Sequence, residues 1–385
     1  MDYQSRYPVE RTRARSIKAG DYAPFLFFST TILLTAIGLV MLYSASYNEA
    51  LSFGREHSYF FTRQLRFALL ALLPMLVVHL IPEKWIYPLS TLFLVGIIAL
   101  LLLTVGSSFG QQKFGSRRWL AIGSLPSLQP SEFAKLALAL FYGSYFVKRQ
   151  KEELTMKTFL IPATVGLGLT ALVLATKDYS SAFLLFGQAA LTLVAAGLQM
   201  RYLVLLGAFA VPPALLLLFS HSYRVRRIAA FLLPTLDPRG INYQVGVSLK
   251  AIRRGGIFGV GVGNGIYKQG ILPEVHSDFI FASIAEEIGF IGVLLIFALF
   301  IAFALFGYKA AQRCQEKHRF FSLTAFSLTT MVLLQAFLNL AVVTALLPPT
   351  GIPLPFFSQG GTSLFVILIS SAFIHRALKV GGADE

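Results

Sequence analysis

A chain of 385 residues that is 56% hydrophobic and only 13% charged, with a mean hydropathy of +0.68, lies outside the range of soluble domains. Apolar runs of about twenty residues recur along it, the length that crosses a bilayer as a helix. The single cysteine, Cys314, excludes an internal disulfide and a cysteine-rich metal site, and a formal net charge of +15 raises the question of where the bases lie.

Residues 1–22 are polar and basic, with Arg6, Arg11, Arg13, Arg15 and Lys18. The apolar run that follows is too long for a signal-peptide core and has no small-residue cleavage site. A cytoplasmic tail and an uncleaved first span are therefore expected. Ten spans are expected in all, at roughly 23–46, 65–82, 85–105, 129–147, 158–176, 180–198, 201–220, 279–308, 321–346 and 357–376, with ends placed to about two to four residues. The expectation is an all-α polytopic membrane protein, with one membrane domain over 23–376 and a short cytoplasmic tail at 377–385. No repeat of fixed period is visible. One long connection, 221–278, joins spans seven and eight.

Short loops obey the positive-inside rule with both termini cytoplasmic, which puts the 221–278 loop outside. Its bases, among them Arg227, Lys250, Arg254 and Lys268, serve no topological purpose there. Phosphate or anionic lipid is their natural partner, since arginine binds phosphate through two parallel bonds. A solvated basic loop without a ligand is the plainer alternative. Nucleic acid is not expected outside the cell membrane.

Four segments carry chemistry, and all fall on the outer side. In the first, Arg117, Arg118 and Trp119 precede Gln129-Pro130-Ser131-Glu132. Pro130 suits a first helical turn, Glu132 suits a helix N-terminus, and Lys135 lies three residues on, where it can neutralise Glu132. Trp119 reads as an interfacial anchor or as a platform for a sugar ring. The second segment, Thr176-Lys177-Asp178-Tyr179-Ser180-Ser181, is a tight turn that says little alone.

The third begins with the glycine-dense stretch Gly255–Gly265, which lets backbone approach a ligand or enter the membrane under cover of protein. It continues through Glu274, His276 and Asp278 into a span carrying Glu286 and Glu287. An ionised carboxylate near a bilayer centre costs at least roughly 2.5–3.5 kcal/mol, so these acids are functional candidates. Helical spacing from Asp278 meets Ala282, Ala285, Gly289 and Gly292, a small-residue face that turns Asp278 into the bundle. The fourth segment runs from Leu347 to Ser363 and contains Pro348, Pro349, Pro353, Pro355, Ser358 and Gln359. Its prolines forbid regular helix, yet it is apolar, which fits a re-entrant loop lining a cavity.

Together these segments resemble the SEDS family (shape, elongation, division and sporulation), whose members include FtsW and RodA. The resemblance covers nearly all the spans and is carried by LPEVHSDFIFASIAEEIGFIG at 272–292, GIPLPFFSQGGTSL at 351–364, and RRWL with QPSEFAKL within 117–136. FLLPTLDP, NYQVGVSLKAI and VGVGNG look more like FtsW than RodA. Two departures stand out: the family's PDxGTA turn reads KDYSSA here, and the acid of its FLDP sequence is replaced in FLLP.

The resemblance implies an inverting glycosyltransferase that polymerises lipid II into peptidoglycan strands at the outer face of the bacterial cytoplasmic membrane. It implies a class B penicillin-binding protein as partner, with other division or elongation proteins and membrane lipid around it. The family's essential aspartate falls on Asp278, as general base, ligand of a divalent cation (Mg²⁺ or Mn²⁺), or both. Substrate contacts are expected from Arg117, Arg118, Trp119, Glu132, Lys135, Arg227, Lys250, His276, Ser358 and Gln359. The rival is a transporter, either a flippase for the same lipid or an ion-coupled carrier using Glu286, Glu287 and Lys135. A third reading is a scaffold that docks through its basic tail.

Overall fold

The computed structural model describes residues 21–107, 110–113, 116–121, 127–149, 155–202 and 241–383, with a few positions between 203 and 240. Most of the expected seventh span, Arg227 and the tail before residue 21 lie outside the described residues.

The helices in chain order are α1 (Ala23–Ser52), α2 (Tyr59–Leu80), α3 (Glu83–Gly106), α4 (Pro130–Val147), α5 (Met156–Ala175), α6 (Tyr179–Ala195), α7 (Ile241–Gly255), α8 (Ile280–Arg313), α9 (Arg319–Val343) and α10 (Gly361–Gly382). Among the described residues seven of them, α1, α2, α3, α5, α8, α9 and α10, are long and apolar enough to cross a membrane. The apolar α6 is shorter, and α4 packs inside the bundle while carrying Glu132 and Lys135. The expected spans other than the seventh thus correspond to helices. One antiparallel hairpin, β1 (Gly110–Lys113) with β2 (Ser116–Leu120), is added between α3 and α4.

Local chemistry sets the helix starts. Proline opens α1 and α4 at the first turn, where its missing N–H is no loss. Asp178 caps α6 by accepting from the Ser181 N–H at 3.3 Å. Apolar contacts then divide the bundle in two. One cluster centres on α1, α8, α9 and α10 and takes in residues of α2, α4 and α7, and the other centres on α3, α4, α5 and α6. The helices α9 and α10 are the most enclosed of the spanning set.

The long loop is not a free outer excursion. Its end forms α7 and then folds along α8, which is broken. Gly289 sits at φ +64°, ψ −170°, inside what would otherwise be a continuous helix. A break there, about 14 Å from the first residue of α8 at 1.5 Å per residue, strands backbone groups that lipid cannot satisfy. The glycine-dense stretch supplies the missing partners. Val260 and Gly261 donate to the Glu286 and Glu287 carbonyls, both at 3.0 Å, while Phe290 and Ile291 donate to Gly256 and Ile257 at 2.9 and 3.1 Å. Gly259 and Gly289 are in such close contact that a Cβ on Gly289 would lie 2.2 Å from the Gly259 nitrogen. The pairing brings the glycines into close approach with protein backbone, a use the sequence reading did not name.

The acids of α8 are structural in the same region. Glu287 binds Lys268 at 2.5 Å and the Ser44 hydroxyl at 2.8 Å. Glu286 pairs with Arg254 and accepts the Ile266 N–H at 2.9 Å. Outside this core, Ile257 and Phe258 are exposed beside exposed Phe290 and Ile291, an apolar strip suited to lipid. Gly289→Ala is expected to destabilise the protein by about 2–4 kcal/mol through backbone strain and overpacking. Gly246→Ala, on α7 with open space around it, should stay within about 1 kcal/mol and tend to stabilise. Equilibrium unfolding in mixed micelles measures both.

Candidate active site

The four segments marked by the sequence converge at one end of the bundle around a cavity of about 330 Å³, a size ordinary for small-molecule sites. Its wall includes Arg63 of α2, Arg118 and Trp119 of β2, Gln129 and Glu132 at the start of α4, and Asp178 and Ser180 at the start of α6. Glu274, Ser277 and Asp278 come from the segment before α8, Gln335 from α9, and Gly351, Pro353 and Gln359 from the proline-rich loop.

Asp278 lies two residues before α8, half-buried, on the cavity wall. Its main-chain carbonyl accepts from the Asn339 amide at 2.7 Å, and the same Nδ2 donates to the Ile352 carbonyl at 2.7 Å. One side chain of α9 therefore ties the Asp278 segment to the proline-rich loop. A second tie runs from the Gln359 N–H to the His276 carbonyl at 2.9 Å. Gly351, at φ +73°, faces the carboxylate closely enough that a Cβ there would stand 3.9 Å from Oδ2.

The proline-rich loop is held from below. Gln335 donates to the Pro353 carbonyl at 3.0 Å, and Gln64 of α2 donates to the Ser358 carbonyl at 3.1 Å and accepts the Gly360 N–H at 3.2 Å. The Ser358 hydroxyl is turned inward and accepts the Leu354 N–H at 2.7 Å. Close helix contact fixes the far side: a Cβ on Gly38 of α1 would strike the Phe356 carbonyl at 2.3 Å. These bonds satisfy non-helical backbone that would otherwise be unviable at membrane depth.

Charge on the wall is arranged in pairs. Glu132 and Lys135 meet at 2.8 Å, both buried, and Lys135 also donates to Gln335 at 2.9 Å. Asp178 is buried and accepts from Gln129 and Ser131, each at 2.8 Å, with Arg118 at 3.8 Å. Glu274 adopts φ +55°, a conformation unusual for a side-chain-bearing residue. Its carbonyl accepts from Ser277 at 3.0 Å, while burial and then the nearby Glu49 charge hold its carboxyl above the usual range.

The expected site residues therefore separate into groups. Asp278, Arg118, Trp119, Glu132 and Gln359 line the cavity. Lys135, His276 and Ser358 stand behind the wall and hold it. His276 stacks on Phe60, with ring centroids 4.7 Å apart. Arg117 and Lys250 are exposed and off the cavity, and Arg227 is outside the described residues. Arg63 and Gln335 were not expected, while Gln129, Asp178 and Glu274 lie in the marked segments but were not among the expected substrate contacts. For Asp178 the signal was present, since Asp followed three residues later by serine at a helix start is a capping pattern.

For a divalent cation the fit is partial. Among the described residues no three His, Cys, Asp or Glu side chains converge, so no all-protein cage forms. Magnesium commonly takes one or two carboxylates and completes its shell with water and substrate phosphate. Asp278 can supply one such carboxylate.

A family model described as a cell cycle protein, covering FtsW, RodA and SpoVE, matches residues 24–380. The chain belongs to this family. It is 36% identical over 358 residues to the probable peptidoglycan glycosyltransferase FtsW of Geobacter sp. (strain M18), covering 91% of this chain and 96% of that one. It is 35% identical over 344 residues to the stage V sporulation protein E of Bacillus subtilis (strain 168), covering 88% and 92%. Among solved structures, a chain of a peptidoglycan synthase complex that coordinates polymerization and crosslinking superposes with TM-score 0.74 at 23% identity, covering 92% of this chain and 97% of that one. Membership in the FtsW/RodA/SpoVE family and the apolar helices make this a multi-pass membrane protein.

His276 supplies a pH test of the site. Burial pushes its imidazole down to about 4 from 6.5. Between those values the unfolded chain binds a proton that the folded chain does not, so stability rises with pH across that window and is lost on acidification from 6.5 towards 4. The loss is on the order of 3 kcal/mol. His276→Phe, which keeps the stacking on Phe60, should flatten the dependence when unfolding is followed at pH 4.5 and 7.

Proposed function

We propose that the protein is a peptidoglycan glycosyltransferase that polymerises lipid II at the outer face of the bacterial cytoplasmic membrane. Both termini are then cytoplasmic, residues 23–376 form the catalytic domain, and a class B penicillin-binding protein is the partner. The observation that carries this reading is the Asp278 carboxylate on the wall of a cavity that also presents Trp119, Arg118 and Arg63. It is supported by the glycosyltransferase name of relatives matching nearly the whole chain.

In this reading a saccharide hydroxyl of the acceptor donates its proton to Asp278 as the oxygen attacks the anomeric carbon of the donor. The C–O bond to the polyprenyl diphosphate breaks on the opposite face, with inversion. One carboxylate suffices for a single displacement, in contrast to the acid–base or nucleophile pairs of glycosidases. General-base help of this kind is worth roughly 10²–10⁴-fold. Asn339 fixes the main chain at Asp278, and Gln359 fixes the adjacent segment through His276. That holds the carboxylate in place without reorganisation. Asp278 would help to hold a Mg²⁺ or Mn²⁺, which would supply positive charge for the leaving group.

One observation favours the flippase alternative, since discontinuous helices recur in carriers and α8 is broken at Gly289. Here, however, the break is filled by backbone of the preceding loop, and Glu286 and Glu287 are each ion-paired. Polymerisation is the better reading.

The test uses purified full-length protein with its partner and lipid II. Asp278→Ala should lower glycan formation by at least about a hundredfold, and chelation should suppress the wild-type rate until Mg²⁺ or Mn²⁺ is restored. Long glycan at the normal rate from the Ala variant would remove the assignment of Asp278. Lipid movement across liposomes without polymer would favour the flippase.

A further inference from the structure

We propose that Lys250 and Arg253 of α7 bind the phosphate of an anionic glycerophospholipid outside the cavity, and that α7 lies in the membrane boundary to present them. The site stands apart from the polymerase reading and does not depend on it.

The height of α7 follows from its anchors. Beyond the break at Gly289, residues 290–313 of α8 make about 36 Å of helix at 1.5 Å per residue, enough to cross a hydrocarbon core of about 30 Å. The 25 residues of α9 make a helix of nearly the same length, and the short turn 314–318 joins the two at the far end. Phe290 and Val343 therefore stand at similar heights, near the cavity-side margin of the core. The helix α7 is fixed to both. Its Ser248 hydroxyl donates to the Val343 carbonyl at 2.8 Å. Its C-terminal end is held at the break, where Phe290 donates to the Gly256 carbonyl at 2.9 Å and where a Cβ on Gly255 would strike the Ala285 carbonyl. A helix tied at two points of similar height lies along the boundary rather than across it.

The faces of α7 fit that position. Val245, Ser248 and Ala251 are buried, whereas Tyr243, Leu249, Lys250 and Arg253 are exposed. Tyrosine and leucine beside two bases form the outer face of a helix that rests at the headgroup layer. Just past its end, Ile257 and Phe258 are exposed beside Phe290 and Ile291. The apolar tip is thus set towards acyl chains and the bases towards headgroups. Lys250 and Arg253 are three residues apart and share a side of the helix. Neither makes an ion pair or hydrogen bond among the described residues. Glu286, the acid of α8 that α7 meets, is already paired with Arg254. Two unneutralised cations at this level meet the phosphates of the membrane itself, and the guanidinium can take two oxygens through parallel bonds. A headgroup of net negative charge is favoured over a zwitterionic one, whose ammonium the same bases repel. Lys250, which stands off the cavity, is thereby given a ligand other than the substrate.

The test places a fluorescent label at position 258 of the full-length protein in nanodiscs, through Phe258→Cys; the native Cys314 is buried. Quenching is compared between acyl-brominated phosphatidylglycerol and acyl-brominated phosphatidylcholine, each at the same mole fraction in the same lipid mixture. Both should quench, and the phosphatidylglycerol should do so at least about threefold more strongly, a preference that raised salt removes. Lys250→Gln combined with Arg253→Gln should leave quenching in place and bring the two lipids to equality. Absence of quenching by either lipid would set this surface against water or another protein and overturn the proposal. Equal quenching before the bases are changed, or a preference that outlasts the double variant, would overturn it as well. Should the double variant fail to fold, the two substitutions are read singly, and each should lower the preference by at least about a third. An unchanged preference in both then overturns the site.

Discussion

The site depends on three side-chain amides that satisfy backbone inside an apolar bundle. Gln64, Gln335 and Asn339 together hold the carbonyls of Asp278, Ile352, Pro353 and Ser358 and the N–H of Gly360. An unmet backbone group at membrane depth costs several kcal/mol, so non-helical chain survives there only where protein supplies partners. Gln335 and Asn339 are four residues apart on α9 and share one face. That face is the template on which the proline-rich loop and the Asp278 segment are laid side by side. The main chain that carries the carboxylate is thus fixed by hydrogen bonding from an enclosed helix.

A second constraint concerns which charges are available. Burying an ion alone is costly, and the structure buries its ions as partners: Glu132 with Lys135, Glu287 with Lys268, Glu286 with Arg254. Such pairs add little net stability relative to apolar packing, but they are demanding of geometry. Glu286 and Glu287 fasten α8 to the returning loop at the break beside Gly289, and the Glu132–Lys135 pair fastens α4 to α9 through Gln335. Bases consumed in this way cannot also neutralise a leaving group. The long loop, basic in composition, contributes Arg254 and Lys268 to its own anchoring.

Much of this was legible in the sequence, and the failures have physical causes. The described spans followed from apolar run length, and the non-helical, cavity-lining character of the loop before α10 followed from prolines in an apolar context. Asp278 faces the cavity as expected, but it stands before α8 rather than on that helix's small-residue face. The break at Gly289 was not legible, because a glycine at helical spacing reads as a packing residue, and only its φ of +64° separates the two cases. The loop glycines and the Gly289 break are one feature seen from two sides, and their pairing spans some thirty residues of sequence. Arg63 was missed for a related reason. An arginine just before an apolar run reads as a solvated flanking charge, and nothing local distinguishes one that turns into a cavity. Asn339 and Gln335 look like isolated polar residues in a spanning helix until the loops they serve are placed.

The same bonding bears on why a polymerase and a carrier can share so many outward features. Both need a polar cavity in an apolar bundle and irregular backbone near it. A carrier must let that backbone rearrange so that the cavity faces each side in turn. Here the irregular segments are cross-tied by Asn339 and by the Gln359–His276 bond, and the broken helix is closed by four main-chain bonds and two ion pairs. Moving the cavity to the other face would require these to open together within an apolar medium that offers no replacement partners. A site that works on one face needs no such movement and gains from rigidity, because a base must stay within hydrogen-bond reach of the proton it removes. The network around Asp278 is built for the second task.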